Sequence, residues 1–303
     1  MGGFSKFADF PRHFGRKVCG YVANKAFNES YEVVLANTHE LREECFKLRH
    51  QIFCVERGFK LDSRNGLESD GYDVRSAHFL LKHRPSNSYI ATGRLILPDR
   101  GDLKSSLPLQ KKLAQNVIED HDLHIPDRVS KTCEISRIGI LKSCSRQSSK
   151  IYCSGGGWAT RIMRKKIADI GKLGLYRAIF SVALHEGGTP NCVFATDSFL
   201  LKRFSAIGFN AFHVMDDKLD ICGPVVAIKF NIHEMLENAR KHAPEGWMIT
   251  TDNGKILNVA RGRVSRKTVP HRIRNWASGL AFSNTASEQQ AYVPVKVPVK
   301  VKI

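Results

Sequence analysis

The sequence predicts an α/β fold, a twisted mixed sheet flanked by helices, and two observations carry that prediction. Between Tyr31 and His242, short runs rich in β-branched and apolar residues alternate with stretches whose apolar residues recur at helical spacing. The chain has 303 residues, of which 42% are hydrophobic, enough for one large domain to bury roughly three quarters of its unfolded surface without disulfides or metals. No internal repeat is visible. The organisation predicted is a basic N-terminal extension over residues 1–30, a catalytic-sized domain over 31–242, and a basic tail over 243–303 expected to be flexible.

Taken in order, residues 1–28 are basic and carry Phe4, Phe7, Phe10 and Phe14. They fit either a partly ordered extension or an amphipathic helix on the body or on a membrane surface. YEVVLA (31–36) reads as a strand. Asn37, with Glu40 three residues on, is expected to cap a helix, whose buried stripe is Leu41, Cys45, Leu48 and Ile52. A loop rich in Gly, Asp and Asn follows, from Gly58 to Tyr72. Two strands, Ala77 to Lys82 and Tyr89 to Leu97, are joined by the turn residues RPSNS, and a polar stretch expected to be helical crosses to Thr132.

CEISRIGIL (133–141) is the next strand. Ser154–Gly157, SGGG, opens a helix with Ala159, Met163, Ile167 and Ile170 on one side and Arg161, Arg164 and Lys165 on the other. Gly174 is expected to close that helix, and YRAIFSVAL (176–184) to form a buried strand. A helix capped at Thr196 or Asp197 and ended by Gly208, strands at Ala211 to Met215 and Val225 to Ile232, and a helix around His233 to His242 complete the domain.

Forty-seven Lys and Arg against 29 Asp and Glu give a net charge of +18. An acidic partner is implied: nucleic acid, an anionic membrane or an acidic protein. None of the eight cysteines forms a C-x-x-C pair, which argues against a zinc site or a disulfide framework. The histidines show no H-E-x-x-H or paired spacing, so no metal is expected. There is no run of about 20 apolar residues and no continuous apolar core of a signal peptide, so a reducing, cytoplasmic setting is expected.

Ionisable residues inside apolar strands are costly unless paired, and this singles out the candidates for chemistry. Arg94 interrupts TGRLIL, and Glu134 and Arg137 interrupt CEISRIGI. Arg49 and Phe53 are four apart on a helix and share a face, and the loop after them brings Glu68, Asp70 and Asp73. Two readings are compatible: a buried ion network that fixes the fold, and a carboxylate held by arginines to accept a proton. Ser136, two residues from Glu134, would share its side of a regular strand, but neither G-x-S-x-G nor a Cys/His pair supports covalent catalysis.

RHQIF (Arg49, Phe53), ESDGYD (Glu68, Asp70, Asp73), the G-R-L of Gly93 to Leu95, and EISR (Glu134, Ser136, Arg137) occur in the order found in acyl-homoserine-lactone autoinducer synthases. ELREECFKLRHQIFCVERGF and GLESDGYDVRSAHFLLKHR resemble still more closely their bacterial relatives, the N-acyl amino acid synthases and the acyltransferases associated with PEP-CTERM/exosortase systems. The similarity covers residues 31 to 235. It implies the GNAT acyltransferase fold, with a V-shaped splay in the sheet, and transfer of an acyl group from a thioester on acyl carrier protein to an amine. By the same resemblance, Arg49, Asp70, Asp73, Arg94 and Arg137 shape the acceptor side, Glu134 is the general base, and Phe53 is the active-site aromatic. Phe59 stands where the lactone synthases have a tryptophan, which weakens the case for an S-adenosylmethionine acceptor.

A free amine is mostly protonated at neutral pH, so amide formation needs a base. Glu134 serves if its apolar neighbours raise its pKa. The oxyanion would be met by backbone N–H groups where two parallel strands part, here expected to be 133–141 and 176–184. No permanently bound cofactor is expected; the donor is acyl-phosphopantetheine on the carrier. SGGG would cradle a phosphate or be a flexible loop. The carrier, acidic as a class, would dock on Arg161, Arg164 and Lys165, and the basic ends would allow peripheral membrane contact. The alternatives are a lactone synthase consuming S-adenosylmethionine and a basic nucleic-acid-binding protein. The latter lacks recognisable binding motifs and leaves the strand charges unexplained.

Overall fold

The computed structural model describes residue 18 and residues 20–99, 101–102, 106–112, 131–144, 158–185, 188–196, 212–220 and 224–260. For 158–171, 212–220, 224–225 and 258–260 it describes the backbone alone. The Ser154–Gly157 loop, the helix expected over 197–208, residues 1–17 and the tail from 261 lie outside the described residues.

Helix α1 (residues 20–30) leads into β1 (Tyr31–Leu35), α2 (His39–Arg49) and a π-helical turn (His50–Val55). A small ladder of β2 (Ser63–Arg64) and β3 (Leu67–Glu68) and a 3-10 turn (Asp73–Arg75) precede β4 (Ser76–His83) and β5 (Ser88–Ile96). Then come β6 (Thr132–Ile140), α3 (Trp158–His185), β7 (Asn191–Thr196), β8 (Phe212–Asp220) and β9 (Pro224–Asn231). Helices α4 (Ile232–His242), α5 (Pro244–Thr251) and α6 (Lys255–Ala260) follow. The seven-stranded main sheet has the order β1-β4-β5-β6-β7-β9-β8.

Every neighbouring pair is antiparallel except β6 with β7, and that exception creates the opening. The parallel pairing runs only from Thr132↔Asn191 to Ile135↔Phe194. Beyond it β6 follows β5, with Thr92↔Gly139 and Ala91↔Ile140, while β7 follows β9, with Ala195↔Ala227 and Thr196↔Val226. The sheet therefore parts into a V past Ile135 and Phe194. Just inside the V, three steps of β6 (Ser136 to Gly139) oppose two of β5 (Arg94 to Thr92), and Arg137 takes φ +54°. This is a β-bulge, with a side-chain-bearing residue held in the left-handed region.

Strand alternation sorts the side chains into two environments. Phe79, Leu81, Ala91, Leu95, Cys133 and Ile135 join the large core under α1, α3 and α5. The alternate positions, among them His78, Leu80, Thr92, Arg94, Glu134 and Ser136, belong to the opposite face, which α2 and the π-helical turn cover with Cys45, Leu48, Ile52 and Phe53. At Gly139 an added Cβ would stand 2.7 Å from Ile52 Cγ2 and 3.0 Å from Phe53 Cζ. Glycine there lets the turn lie directly on β6.

Four sequence expectations need correction. Residues 176–184 are the second half of α3, not a strand: Leu175, Tyr176, Ile179, Phe180, Val182 and Ala183 are all buried at helical spacing, a pattern a continuous apolar run cannot distinguish from a strand. Gly174 does not end that helix; a Cβ there would collide with the ring of Phe27, so glycine admits α1. The parallel partner of β6 is instead β7, an unforeseen strand whose Cys192, Val193 and Phe194 are buried. The cap of α2 is Thr38, whose Oγ1 accepts the Leu41 N–H at 3.3 Å, one residue later than Asn37.

The domain limits also shift. Residues 20–30 and 244–260 fold onto the body, because they carry apolar side chains that the basic composition around them obscures: Phe27, Ile249 and Ile256 all join the main core. A polar clasp ties these ends to α3. Arg177 donates to Asn28 Oδ1 at 2.9 Å and Asn24 Oδ1 at 3.3 Å, and Asn24 Nδ2 donates to Asp252 Oδ1 at 3.0 Å. Strand β8 extends beyond Met215 to Asp220, through polar residues that the edge of a sheet accommodates. Among the described residues no helix is long and apolar enough to cross a membrane.

The collision at Gly174 makes the docking of α1 testable. Gly174→Ala is expected to lower the unfolding free energy by about 1–3 kcal/mol through overpacking, and Phe27→Leu in the same chain to recover part of the loss. Urea denaturation of the three variants checks this; a G174A chain as stable as the parent would contradict the packing of α1 on α3.

Candidate active site

The charged residues predicted from the sequence converge on the α2 face of the sheet at the mouth of the V. Arg49, the last residue of α2, donates through Nε to Glu68 Oε2 at 2.5 Å and through Nη1 to Asp73 Oδ1 at 2.8 Å. Arg94 on β5 donates through Nη1 to Asp73 Oδ1 and Asp70 Oδ1, both at 2.6 Å. Arg137 on β6 donates through Nη2 to Glu68 Oε1 at 2.8 Å and approaches Asp70 Oδ2 at 3.5 Å.

Each acid is thus shared by two arginines and each arginine by two acids. The result is a closed ring, Arg49–Glu68–Arg137–Asp70–Arg94–Asp73, with no net charge. Five elements supply it: α2, β3, the 69–73 turn, β5 and β6.

Two local features make this possible. The β-bulge turns Ser136 and Arg137, consecutive residues that a regular strand would send to opposite faces, toward the same cluster: Ser136 Oγ accepts from Arg94 Nε at 2.9 Å while Arg137 reaches Glu68. The turn at Asp70 is pinned by its own backbone, since the Asp70 N–H donates to Asp73 Oδ2 at 2.7 Å and the Tyr72 N–H to Asp70 Oδ1 at 2.9 Å.

The ring is buried on one side and open on the other. Arg49, Arg94, Glu68 and Asp73 are buried, whereas Arg137 is 20% and Asp70 29% exposed. Its longest link, Asp70 to Arg137, is therefore the edge that faces solvent. Burial pushes the carboxyls of Glu68 and Asp73 up, but the flanking arginines outweigh it: Glu68 ends below the usual range and Asp73 at about 2.

Glu134 stands apart from this ring. Its Oε2 accepts the Leu109 N–H at 2.8 Å, and no arginine bonds to it among the contacts of the described residues. Burial pushes its carboxyl up to about 7, against the opposing pull of the Leu109 N–H and of Arg94 and Arg137. Near neutral pH it is close to half ionised, the condition in which a carboxylate both takes and gives a proton readily.

Phe53 is buried on the π-helical turn and stacks on Phe59, with centroids 6.3 Å apart and planes at 19°. The Phe59 N–H donates to the Phe53 carbonyl at 2.9 Å, and the Arg57 guanidinium lies 5.0 Å over the Phe53 ring. Phe53 lies directly against Gly139 of β6. A π-helical turn is uncommon and often marks a functional site.

Arg161, Arg164 and Lys165 lie in the first half of α3, where their side chains are outside the described residues. The expected oxyanion donors on 176–184 are ruled out by the helix; the strands that part are β6 and β7. Ser136 is engaged with Arg94, and burial pushes the Cys45 thiol up to about 12, which leaves neither suited to be a nucleophile. Among the described residues no group of three or more His, Cys, Asp or Glu is placed to hold a metal ion.

Sequence reasoning missed His78, Arg75 and the segment 106–112. His78 is buried 3.7 Å from Asp73 Oδ1, and burial pushes its imidazole down to about 4, so it is neutral at physiological pH. It interrupts an apolar strand as Arg94 does, and that signal could have found it. No comparable signal marks Leu109, because its contribution is a backbone N–H.

Residues 48–152 match the family described as acetyltransferase (GNAT) domain. No curated protein matches the chain. Among solved structures, the chain is similar to the AHL synthase LasI at 16% identity, covering 67% of this chain and 89% of that one with a TM-score of 0.44. It is similar to FeeM, an N-acyl amino acid synthase from uncultured soil microbes, at 11% identity, 69% and 93% coverage and a TM-score of 0.46. For BjaI, a CoA-dependent acyl-homoserine lactone synthase with SAM and isopentyl-CoA, the values are 19%, 70% and 88%, and 0.47.

The burial of Glu134 has a consequence for stability. Its folded-state value lies above the ordinary 4.5, so folding favours the neutral form, and ionisation costs stability progressively from pH 4.5 to about 7. Glu134→Gln is therefore expected to match the parent in unfolding free energy below pH 4.5 and to exceed it above pH 7, by on the order of 3 kcal/mol. Denaturant titrations across that range check this; a difference that does not vary with pH would contradict a buried, neutral-leaning carboxyl.

Proposed function

We propose that the protein is an N-acyltransferase that moves a fatty acyl group from a thioester on acyl carrier protein to the amine of an amino acid or a related small molecule. The observation that carries this reading is the separation of two kinds of carboxylate in one V-shaped opening. Three are locked into an arginine ring, and one, Glu134, is left with a proton affinity matched to neutral pH.

In this reading the acceptor amine enters as an ammonium group on the α2 face and loses its proton to Glu134, directly or through a water. The open edge of the ring, Asp70 and Arg137, offers one anion and one cation for the polar groups of the acceptor. The freed amine attacks the thioester carbonyl carbon, and the negative charge that develops on the oxygen is met by backbone N–H groups of β6 past Ile135, where β7 no longer pairs with it. Collapse breaks the C–S bond: the departing thiolate takes the proton held by Glu134, and the carboxylate so restored takes the second proton that the adduct's nitrogen must lose to become an amide, and passes it to water. No covalent enzyme intermediate is needed, because the thioester is already activated.

The remaining parts of the reading concern partners. The carrier, acidic as a class, docks against Arg161, Arg164 and Lys165 at the start of α3 by charge complementarity. The basic ends, together with Val18, Tyr21 and Val22, exposed on and just before α1, favour transient contact with an anionic membrane surface. Phe59, in place of a tryptophan, favours an ordinary amine over S-adenosylmethionine.

The test uses the full chain, an acyl-carrier thioester and a panel of amino acids, with mass spectrometry of the products. An N-acyl amino acid is expected, and Glu134→Gln is expected to reduce turnover about a hundredfold or more while the chain stays folded. Unchanged turnover in the variant would remove Glu134 from the mechanism, and release of methylthioadenosine from S-adenosylmethionine would replace the proposed acceptor with that of a lactone synthase.

A further inference from the structure

Glu134 is covered by a segment that lies outside the charged ring. Residues 106–112 cross over the start of β6 with Ser106, Leu107, Leu109 and Gln110 buried, and the segment presents the Leu109 N–H to Glu134 Oε2. It is braced within itself, since the Leu107 N–H donates to Gln110 Oε1 at 2.8 Å and the Lys112 N–H to the Leu109 carbonyl at 3.0 Å. Two anchors tie it to the body. Ser106 Oγ accepts the Asp99 N–H at 2.5 Å, and the carbonyl of Ser106 accepts from Arg75 Nη2, while Arg75 Nη1 donates to the carbonyl of Leu97.

Arg75 thus holds both ends of the excursion between β5 and the segment. It leaves the 3-10 turn two residues after Asp73, its guanidinium is 5.2 Å from the Tyr72 ring centroid, and Lys111 of the same segment stacks on that ring at 5.5 Å. The charged groups acting on Glu134 from the surrounding elements are Arg94 of β5, Arg137 of β6, Asp70 of the loop and Arg75 itself. Of these, Arg75 is bonded to the segment that covers the carboxyl.

We propose that Arg75 is a positioning residue for the transfer: by clamping Leu97 and Ser106 it seats the 106–112 segment over Glu134 and keeps that carboxyl dry. The assignment rests on Glu134 being the base. Loosening the clamp admits water to the carboxyl, and since burial is the largest influence on it, hydration outweighs both the loss of one N–H donor and, in a variant without the cation, the loss of Arg75's own charge, and draws its proton affinity toward the ordinary carboxylate range. The base then becomes weaker and ionises at lower pH.

The experiment compares Glu134 with Glu134→Gln in the parent and in Arg75→Met, measuring unfolding free energy from pH 4 to 9 and kcat/KM over the same range with an acyl-carrier thioester. In the parent, the stability difference opens between pH 4.5 and about 7. In R75M the upper edge of that window and the acid limb of kcat/KM are expected to fall together by about one pH unit or more. Arg75→Lys, which retains a charge and one donor, is expected to lie between. A window that does not move in R75M overturns the assignment. Should R75M not fold, Ser106→Ala releases the other anchor and must produce the same downward shift; an unmoved window there overturns it equally. Failure of the base itself looks different, because Glu134→Gln then retains turnover in the parent whatever Arg75 does.

Discussion

Six charges closed into a neutral ring are the constraint on which the rest of this site depends. Any one of the three arginines, desolvated alone, would be prohibitively costly. The ring solves this by giving each cation two acids, and so it can form only if α2, β3, the 69–73 turn, β5 and β6 hold one particular arrangement. The sheet supplies part of that arrangement through the pairing of Arg94 with Ser136, and the bulge at Arg137 supplies the rest. Removing one arginine would leave each of its two acids with a single cation, so the ring ties the integrity of the opening to the fold itself.

A consequence of this pairing is that Glu68 and Asp73 are poor bases, their carboxyls held below the usual range by the flanking arginines. Asp73 is held near 2, where it has no affinity for an amine's proton. Glu134 differs because its partner is one backbone N–H and its surroundings are dry. It lies close enough to Arg94 and Arg137 to feel their charge, but it is not bonded to them, and this distinction leaves it near neutrality. Within one cluster Glu68 and Asp73 are driven below the usual carboxylate range and Glu134 above it, which suits the first two to structure and the last to proton transfer.

Much of this was legible in the sequence, for a physical reason. Arg94, Glu134 and Arg137 interrupt apolar strands, where charges must be paired or functional, and Arg49 shares a helix face with Phe53 just ahead of the loop that carries the acids. That reasoning identified the ring's members from residues almost ninety positions apart. It failed where the signal was ambiguous or carried by backbone. YRAIFSVAL is apolar throughout and suits a buried helix as well as a buried strand, and only Phe27, packed against Gly174, reveals that the helix continues. The strand NCVFAT is short and bordered by Pro190 and Asp197. The cover on Glu134 comes from an N–H of Leu109, which no side-chain pattern announces. His78 was within reach of the same reasoning and was overlooked.

The central claim, that one carboxylate is left free to titrate while its neighbours are locked, can be read directly by carbon-13 NMR of the side-chain carboxyl carbons in the full chain. The account predicts a Glu134 midpoint near 7, with Asp73 ionised down to about 2. A Glu134 midpoint in the ordinary carboxylate range, about 4.3, or a ring carboxylate titrating near neutrality in its place, would contradict it.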